Sequence, residues 1–540
     1  MTRAVADSRR SRGYSLYVLG LFMVIYAVNF IDRQIVSILA PDLKADLGLT
    51  DAQIGLLFGT AFALFYALFG LPMARLADSW HRVRTMALGL TLWSGMTALS
   101  GLSGNFAHLG LARMGVGIGE AAASPAAFSI LQDYFPRRQR ATVLSVYSSG
   151  IYFGSGLSLV LGGWIIATWQ GLYPLSPPFG FKGWQIAFLA VGIPGLLLAA
   201  VTLLTVREPV RGAIDGQPQP REPRPFRTAF MEMAALFPPF SLVVLHALGG
   251  DGRAVRRNMI ALAACILLAL AATIATNALL DPARLAVVGH FAGMAITTNF
   301  VQWAGFFAAS YAVFCWVQAT RLRDPAAFAL MIATPAFALL PVVSGLISFI
   351  GYSLNGFLFV YARRYLDLGP QAGLTIGIIT AITGTLGTIG GGFVADWAKR
   401  RHGNGRLWVA AASSSAVAIA TAVQYSTAST TIFYIAYGCA STFATIWIGP
   451  IAATCQDLVL PRMRGAATAV MFLGANLIGM GLGPYCVGLV SDITGNLRFA
   501  ILSVFVMLPV ILLCLWLAGT RLAAAEESVT ARARAAGEPI

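Results

Sequence analysis

Apolar runs of about 20 residues, each long enough to cross a bilayer as a helix, recur about 14 times along this chain. Little sequence is left for any other kind of fold. Six runs fall at about 15–40, 52–74, 85–103, 107–134, 142–168 and 184–206, and six more at about 333–361, 372–396, 406–424, 429–453, 466–490 and 498–519. Two extra runs, about 258–280 and 297–320, lie between these sets. Only 11% of the residues are charged, against roughly 25% in soluble domains. A backbone in hydrocarbon must satisfy its own polar groups, so runs of this length predict helices. The expected class is an all-α polytopic membrane protein.

The formal net charge of +15 does not point to nucleic acid. Lys and Arg gather in short clusters between the runs, among them "ARLADSWHRVR", "FPRRQR", "AKRRHGNGR" and "PRMRG". Counted from a cytoplasmic N-terminus these clusters fall on the inner side, the positive-inside pattern. Both termini are therefore expected in the cytoplasm, in a cell membrane (the inner one if the source is bacterial). "YARRYLD" (361–367) falls on the outer side, against the rule. The first run is too long for a signal peptide and lacks a small-residue cleavage site, so it is read as a retained span. The six cysteines show no C-x-x-C spacing and are expected to be small buried apolar residues.

The chain repeats itself at an offset near 320. "QDYFPRRQRAT" (132–142) echoes "QDLVLPRMRGAAT" (456–468), and "RLADSWHR" (75–82) echoes "FVADWAKR" (393–400), setting Asp78 against Asp396 and Arg82 against Arg400. Gly55 and Gly59 align with Gly373 and Gly377, and Gly154, Gly156 and Gly163 with Gly479, Gly481 and Gly488. Several motifs in register imply duplication. The expectation is two six-helix bundles related by a pseudo-two-fold, residues 1–206 and 331–540. Residues 207–330 form a cytoplasmic linker carrying an inserted transmembrane hairpin. Duplicated halves enclosing one midplane site are a recurrent plan of secondary transporters.

The loop residues Gly392, Asp396, Arg400 and Arg401, with the span 4 motif "RMGVGIGEAAASP", resemble the major facilitator superfamily. The first-half loop departs from it, with Ala74 and Ser79 in place of the expected Gly and basic residue, while Asp78 and Arg82 remain. "NFIDRQIVSILAPDLKADLGLTDAQIGLL" and "GVGIGEAAASPAAFSILQDYFPRRQRA" together resemble the spinster group of that superfamily. That resemblance implies a lysophospholipid or sphingolipid-like substrate, with proton coupling in bacterial members.

Charges inside apolar runs are costly and mark function. Asp32 lies about 22 Å of helix from the inner face, and Glu120 at a similar depth in span 4. Two such carboxylates are expected to carry the coupled proton and to titrate as one unit. Asp32 and Arg33 point about 100° apart and cannot simply pair with each other. Asp32 is expected to face a cavity, while Arg33 pairs with Glu120 in one state and meets an anionic headgroup in another. The alternative is a fixed ion pair joining spans 1 and 4. Arg113, two turns from Glu120, is a second switch or headgroup residue. Asn29, Tyr352, Asn355, Phe359 and Trp447 are the expected substrate contacts. Asp78, Arg82, Asp396 and Arg400 sit at inner helix ends and are expected to close the cytoplasmic gate.

The expected function is a proton-coupled secondary transporter of an amphipathic, lipid-like solute, monomeric, with membrane lipids as its other partners. A multidrug or organic-anion exporter is one alternative, and a receptor or sensor on a transporter scaffold another. No Walker A, H-E-x-x-H or G-x-S-x-G pattern is found, so neither an enzyme nor an ATP-driven pump is expected. No cofactor is expected; the energy source is a proton gradient.

Overall fold

The computed structural model describes residues 12–136, 140–210, 224–291, 294–369, 371–460 and 463–539. Among these, 13 helices are long and apolar enough to span a membrane. The fourteenth expected helix, Arg82–Ser100, runs for 19 residues and carries Arg, Thr and Ser that dilute its hydropathy. Spans 1 to 6 comprise Arg12–Leu47, Asp51–Phe58 continued by Thr60–Ser79, Arg82–Ser100, Phe106–Glu120 continued by Ala123–Tyr134, Arg140–Leu172 and Gly183–Thr205. The inserted hairpin pairs Gly252–Ala278 with Thr298–Arg323. Spans 7 to 12 comprise Pro335–Leu366, Ala372–Arg401, Gly405–Ser426, Thr430–Ile446 with Ile448–Asp457, Arg464–Gly474 through Gly481–Thr494, and Leu497–Ser503 with Met507–Glu527.

Local sequence sets the helix starts. Thr50 and Gln53 form a reciprocal capping box at span 2. Asn105, Asp251, Thr297, Ser429 and Asn496 each accept a backbone N–H at the start of a helix. Five spans are interrupted, which run length does not reveal. Span 2 breaks at Gly59, span 4 at Ala121–Ala122 and span 10 at Trp447. Span 11 passes through a π-helical stretch, Ala475–Met480, and span 12 through a 3-10 turn, Val504–Val506.

Two compact units emerge, and each mixes first-half and second-half segments. One comprises 12–39, 65–233 and 370–381; the other comprises 40–64, 234–369 and 382–540. In the first, Gly373 and Gly377 of span 8 lie against Leu159 and Gly156 of span 5. In the second, the Gly55 and Gly59 pair of span 2 does the same with span 11. A Cβ on either would stand 2.3 Å from a backbone carbonyl oxygen, that of Pro484 or Met480 respectively. Only glycine permits this approach.

The second unit also accounts for "YARRYLD". Arg363 meets Asp42 at 3.2 Å and Arg364 meets Asp51 at 3.5 Å. These two arginines are thus matched by carboxylates of the 40–51 segment. Unforeseen in the sequence were two short helices, Pro225–Ala234 and Phe240–Ala247. An antiparallel β-hairpin, β1 (Val287–Phe291) with β2 (Met294–Thr297), also joins the inserted helices. Most of the Pro-rich linker, 211–223, lies outside the described residues. Of the six cysteines, Cys315 and Cys455 are buried; Cys439 is exposed and the others intermediate.

Candidate functional site: a buried charge cluster on spans 1 and 4

The first unit gathers four ionisable side chains on spans 1 and 4, all essentially shielded from solvent. Asp32 and Arg113 are 0% exposed, Glu120 1% and Arg33 5%. Arg33 Nη2 donates to Glu120 Oε2 at 2.7 Å, and its Nε donates to the same oxygen at 3.3 Å. The guanidinium also lies over the rings of Phe30 (4.6 Å) and Tyr66 (5.1 Å), a cation–π arrangement that strengthens where water is excluded. Tyr26 continues this face, stacked on Tyr147 with centroids 4.4 Å apart.

Helix geometry explains why the neighbouring charges part company. Asn29, Phe30 and Arg33 share one face at three- and four-residue spacing, and Asp32 is turned off it. Asp32 is not open to a cavity. Its carboxylate faces Trp93 and Thr97 of span 3, with Arg113 and Glu120 as the neighbouring charges. Among the described residues neither of its oxygens makes a hydrogen bond of full geometry; the Trp93 and Thr97 donors face it just short of that. Arg113 Nη1 instead donates to the backbone carbonyl of Asp32 at 3.0 Å. Ser158 of span 5 donates to that of Ile31, also at 3.0 Å. Gripped at consecutive carbonyls from two helices, span 1 cannot rotate without breaking a buried bond.

Span 4 reaches this cluster because it is built of small residues. A Cβ on Gly119 would stand 2.6 Å from the backbone nitrogen of Trp93 and 2.8 Å from the carbonyl of Gly89. Spans 3 and 4 therefore meet backbone to backbone just beside Glu120. Glu120 is also the last residue of its helical segment, before the break at Ala121–Ala122. Discontinuous helices at a charged site are a device of transporters.

The residues expected at the gate divide between the units. The side chain of Asp78 lies outside the described residues. Arg82, 1% exposed, donates to Glu208 Oε1 at 2.7 Å, to Asp133, to Ser129 and to the Pro209 carbonyl. In the second unit, Arg406 takes the analogous place. It binds Asp457 at 2.6 Å and Asp396 at 3.0 Å. The same interval along the chain separates Arg82 from Arg406 and Asp133 from Asp457, so Arg406 is the structural counterpart of Arg82. Arg400 is exposed. Asp133 and Asp457 stand in the repeated "QD" of the sequence; what the repeat did not reveal was their partner. Of the expected second-half substrate contacts, Phe359 and Trp447 are buried, Tyr352 partly buried and Asn355 exposed. Asn29 is 1% exposed.

Residues 22–484 match the Major Facilitator Superfamily. The chain belongs to that superfamily and is a multi-pass membrane transporter by family. An "MFS-type efflux pump" from Mycolicibacterium smegmatis is 28% identical over 511 residues, 93% of this chain and 92% of the relative. "Protein spinster homolog 1" from Xenopus tropicalis is 31% identical over 206 residues, 37% of this chain and 36% of that one. Among solved structures, a bacterial homologue of the human lysosomal transporter Spinster, inward-facing and unoccupied, superposes with a TM-score of 0.68. It is 24% identical, with 96% of this chain and 99% of that one covered. The fold is thus spinster-like.

Proposed function

We propose that this chain is a proton-coupled secondary transporter of an amphipathic, lipid-like solute, with both termini in the cytoplasm. The reading rests on the buried Arg33–Glu120 ion pair beside Asp32. The two carboxyls differ in what a proton would do. At Asp32 protonation breaks no ion pair among the described residues, and costs only the approach of the neutral Trp93 and Thr97 donors, which do not reach full hydrogen-bond geometry. At Glu120 it weakens the bond to Arg33, the ionic link between spans 1 and 4. Asp32 is then the group that carries the proton, and Glu120 the group through which charge alters the contact between helices. A released Arg33, with Phe30 and Tyr66 beside it, offers a cation and apolar surface to an anionic headgroup. Residues 1–206 and 331–540 are the halves that alternate in access.

The test is flux in proteoliposomes with an imposed pH gradient, lysophospholipid against a panel of organic anions and cationic drugs. Gradient-driven lysophospholipid flux that is lost in Asp32→Asn is the expected result. Flux indifferent to the gradient overturns the coupling, and flux of other solutes alone overturns the substrate class. A second reading, export of drugs or organic anions, is favoured by the mycobacterial relative named as an efflux pump. A Bacillus subtilis protein named as a probable galactarate/D-glucarate transporter, 29% identical over 38% of this chain, favours the anion version. The same panel separates them.

A further inference from the structure

The inserted hairpin is bonded into the second unit at both ends. At one end its helices are tied to each other and to the preceding short helix. Asn258 donates to Gln318 at 2.7 Å, Tyr311 donates to Asn258 at 2.7 Å, and the Ser241 and Tyr311 hydroxyls meet at 2.9 Å. At the β-hairpin end the two helices are tied to each other as well, Asn299 donating to Asn277 at 2.8 Å and Trp303 to Thr276 at 3.2 Å, but bonds also run outward. Gln302, 0% exposed, donates through Nε2 to the carbonyl of Gly481 in span 11 at 2.9 Å. Thr60 of span 2 has its hydroxyl within reach of both Gln302 Oε1 and that same carbonyl. One turn away, Tyr485 of span 11 donates to Asn299 at 2.7 Å. Arg284 donates to the carbonyl of Asp492 at 2.5 Å.

Span 2 and span 11 are joined most closely at this place. Besides the Gly55 and Gly59 contacts, a Cβ on Gly488 would stand 2.3 Å from the carbonyl oxygen of Asp51. The Asp492 carboxylate accepts the backbone N–H groups of Asp51 (3.1 Å) and Ala52 (2.8 Å). The backbone irregularities also converge here. Thr60 follows the break at Gly59, and Gly481 follows the π-helical stretch that frees carbonyls from their usual partners. One glutamine therefore holds both sides of a seam.

We propose that Gln302 is a positioning residue for the transport cycle: the inserted hairpin is a strap that keeps spans 2 and 11 together at their Asp51 and Asp492 ends. The proposal rests on the alternating-access reading, in which this seam parts once per cycle. When Thr60 and Gly481 separate, Gln302 keeps at most one of them. The strap thus sets how much of the protein has this face closed. One or two interhelical hydrogen bonds in a membrane correspond to roughly 3- to 30-fold in that ratio.

Cys486 supplies the readout, since it packs against Ala52, Tyr485 and Leu489 at the seam. Cys439, exposed in span 10, is the internal reference. The full-length chain is treated with N-ethylmaleimide, and each site is followed by peptide mass spectrometry. In Gln302→Leu the Cys486 rate is expected to rise roughly 3- to 30-fold, with the Cys439 rate unchanged. Thr60→Val, which removes only the span 2 arm, gives a smaller rise in the same direction. If Gln302→Leu does not accumulate as folded protein, Thr60→Val and Gln302→Asn carry the test. An unchanged Cys486 rate, or an equal rise at both cysteines, overturns the proposal. The assay uses neither substrate nor gradient, so its failure is distinct from failure of the transport reading.

Discussion

Arg33 and Glu120 are joined through a single carboxylate oxygen. Two guanidinium nitrogens converge on Oε2, at 2.7 and 3.3 Å, while among the described residues Oε1 makes no hydrogen bond of full geometry, with Asn29 the nearby amide donor. The pair is buried but not saturated, a bond built to hold and also able to let go. Removing one partner of a buried pair leaves the other charge uncompensated, at a cost of about 3–5 kcal/mol. Glu120→Ala is therefore expected to lower the thermal midpoint well below that of wild type. Arg33→Leu with Glu120→Gln together should recover much of the loss. Equal midpoints for wild type and Glu120→Ala, by a fluorescence melt in detergent, would contradict the pair's contribution.

Asp32→Asn should behave differently. Among the described residues its carboxylate meets only the neutral Trp93 and Thr97 donors, short of full hydrogen-bond geometry, so the near-isosteric substitution removes charge and proton capacity while sparing the packing. The expected outcome is a midpoint close to wild type, loss of gradient-driven uptake, and retained substrate counterflow, which needs no net proton movement. Loss of counterflow along with uptake would argue that Asp32 holds structure or substrate rather than a proton.

The two repeat-related arginines should not be equivalent. Arg82 is 1% exposed, and its partner side chains Asp133 and Glu208 are 8% and 11% exposed. Arg406 is 17% exposed, with Asp396 and Asp457 at 62% and 42%. Solvent-facing pairs contribute about 0–1 kcal/mol; truncating a buried partner costs about 3–5 kcal/mol. Thermal melts of Arg82→Ala and Arg406→Ala should rank in that order, and the reverse ranking would show that the burial difference does not govern.

Gly119→Ala tests how the cluster is positioned. A Cβ there would stand 2.6 Å from the Trp93 backbone, so a helix must shift, at a cost of about 1–3 kcal/mol for overpacking. Because Glu120 is the next residue, the shift should also weaken coupling. Gly104→Ala, with nothing within 4 Å of the added carbon, is the control. Equal stability of the two variants would mean that spans 3 and 4 have more slack than their contact implies.

The spans were legible because length and hydropathy are all a bilayer demands of a helix. Those same demands conceal the interruptions. Gly59, Ala121, Ala122 and Trp447 sit inside apolar runs with nothing in the composition to set them apart. That Asp32 and Arg33 point to different neighbours follows from 100° per residue. Which neighbours they meet does not, because Trp93, Thr97, Tyr66 and Ser158 reach span 1 only through tertiary packing. The arginine repeat shows the limit from the other side. Matching local strings set Arg82 against Arg400, whereas the packing of spans 9 and 10 puts Arg406 in that role. The β-hairpin and the short helices of the linker left no periodic trace strong enough to read.

The fourth helix of each half is jointed at a corresponding point, at Ala121–Ala122 in one and at Trp447 in the other. The joints match in position but not in furnishing. A carboxylate closes the first segment of span 4, and an indole occupies the joint of span 10. The two halves thus share a helix geometry while differing in the chemistry placed at it. A protein with two like joints, an acid closing the helix at one and an indole at the other, carries a polarity that its repeated backbone alone would not give it.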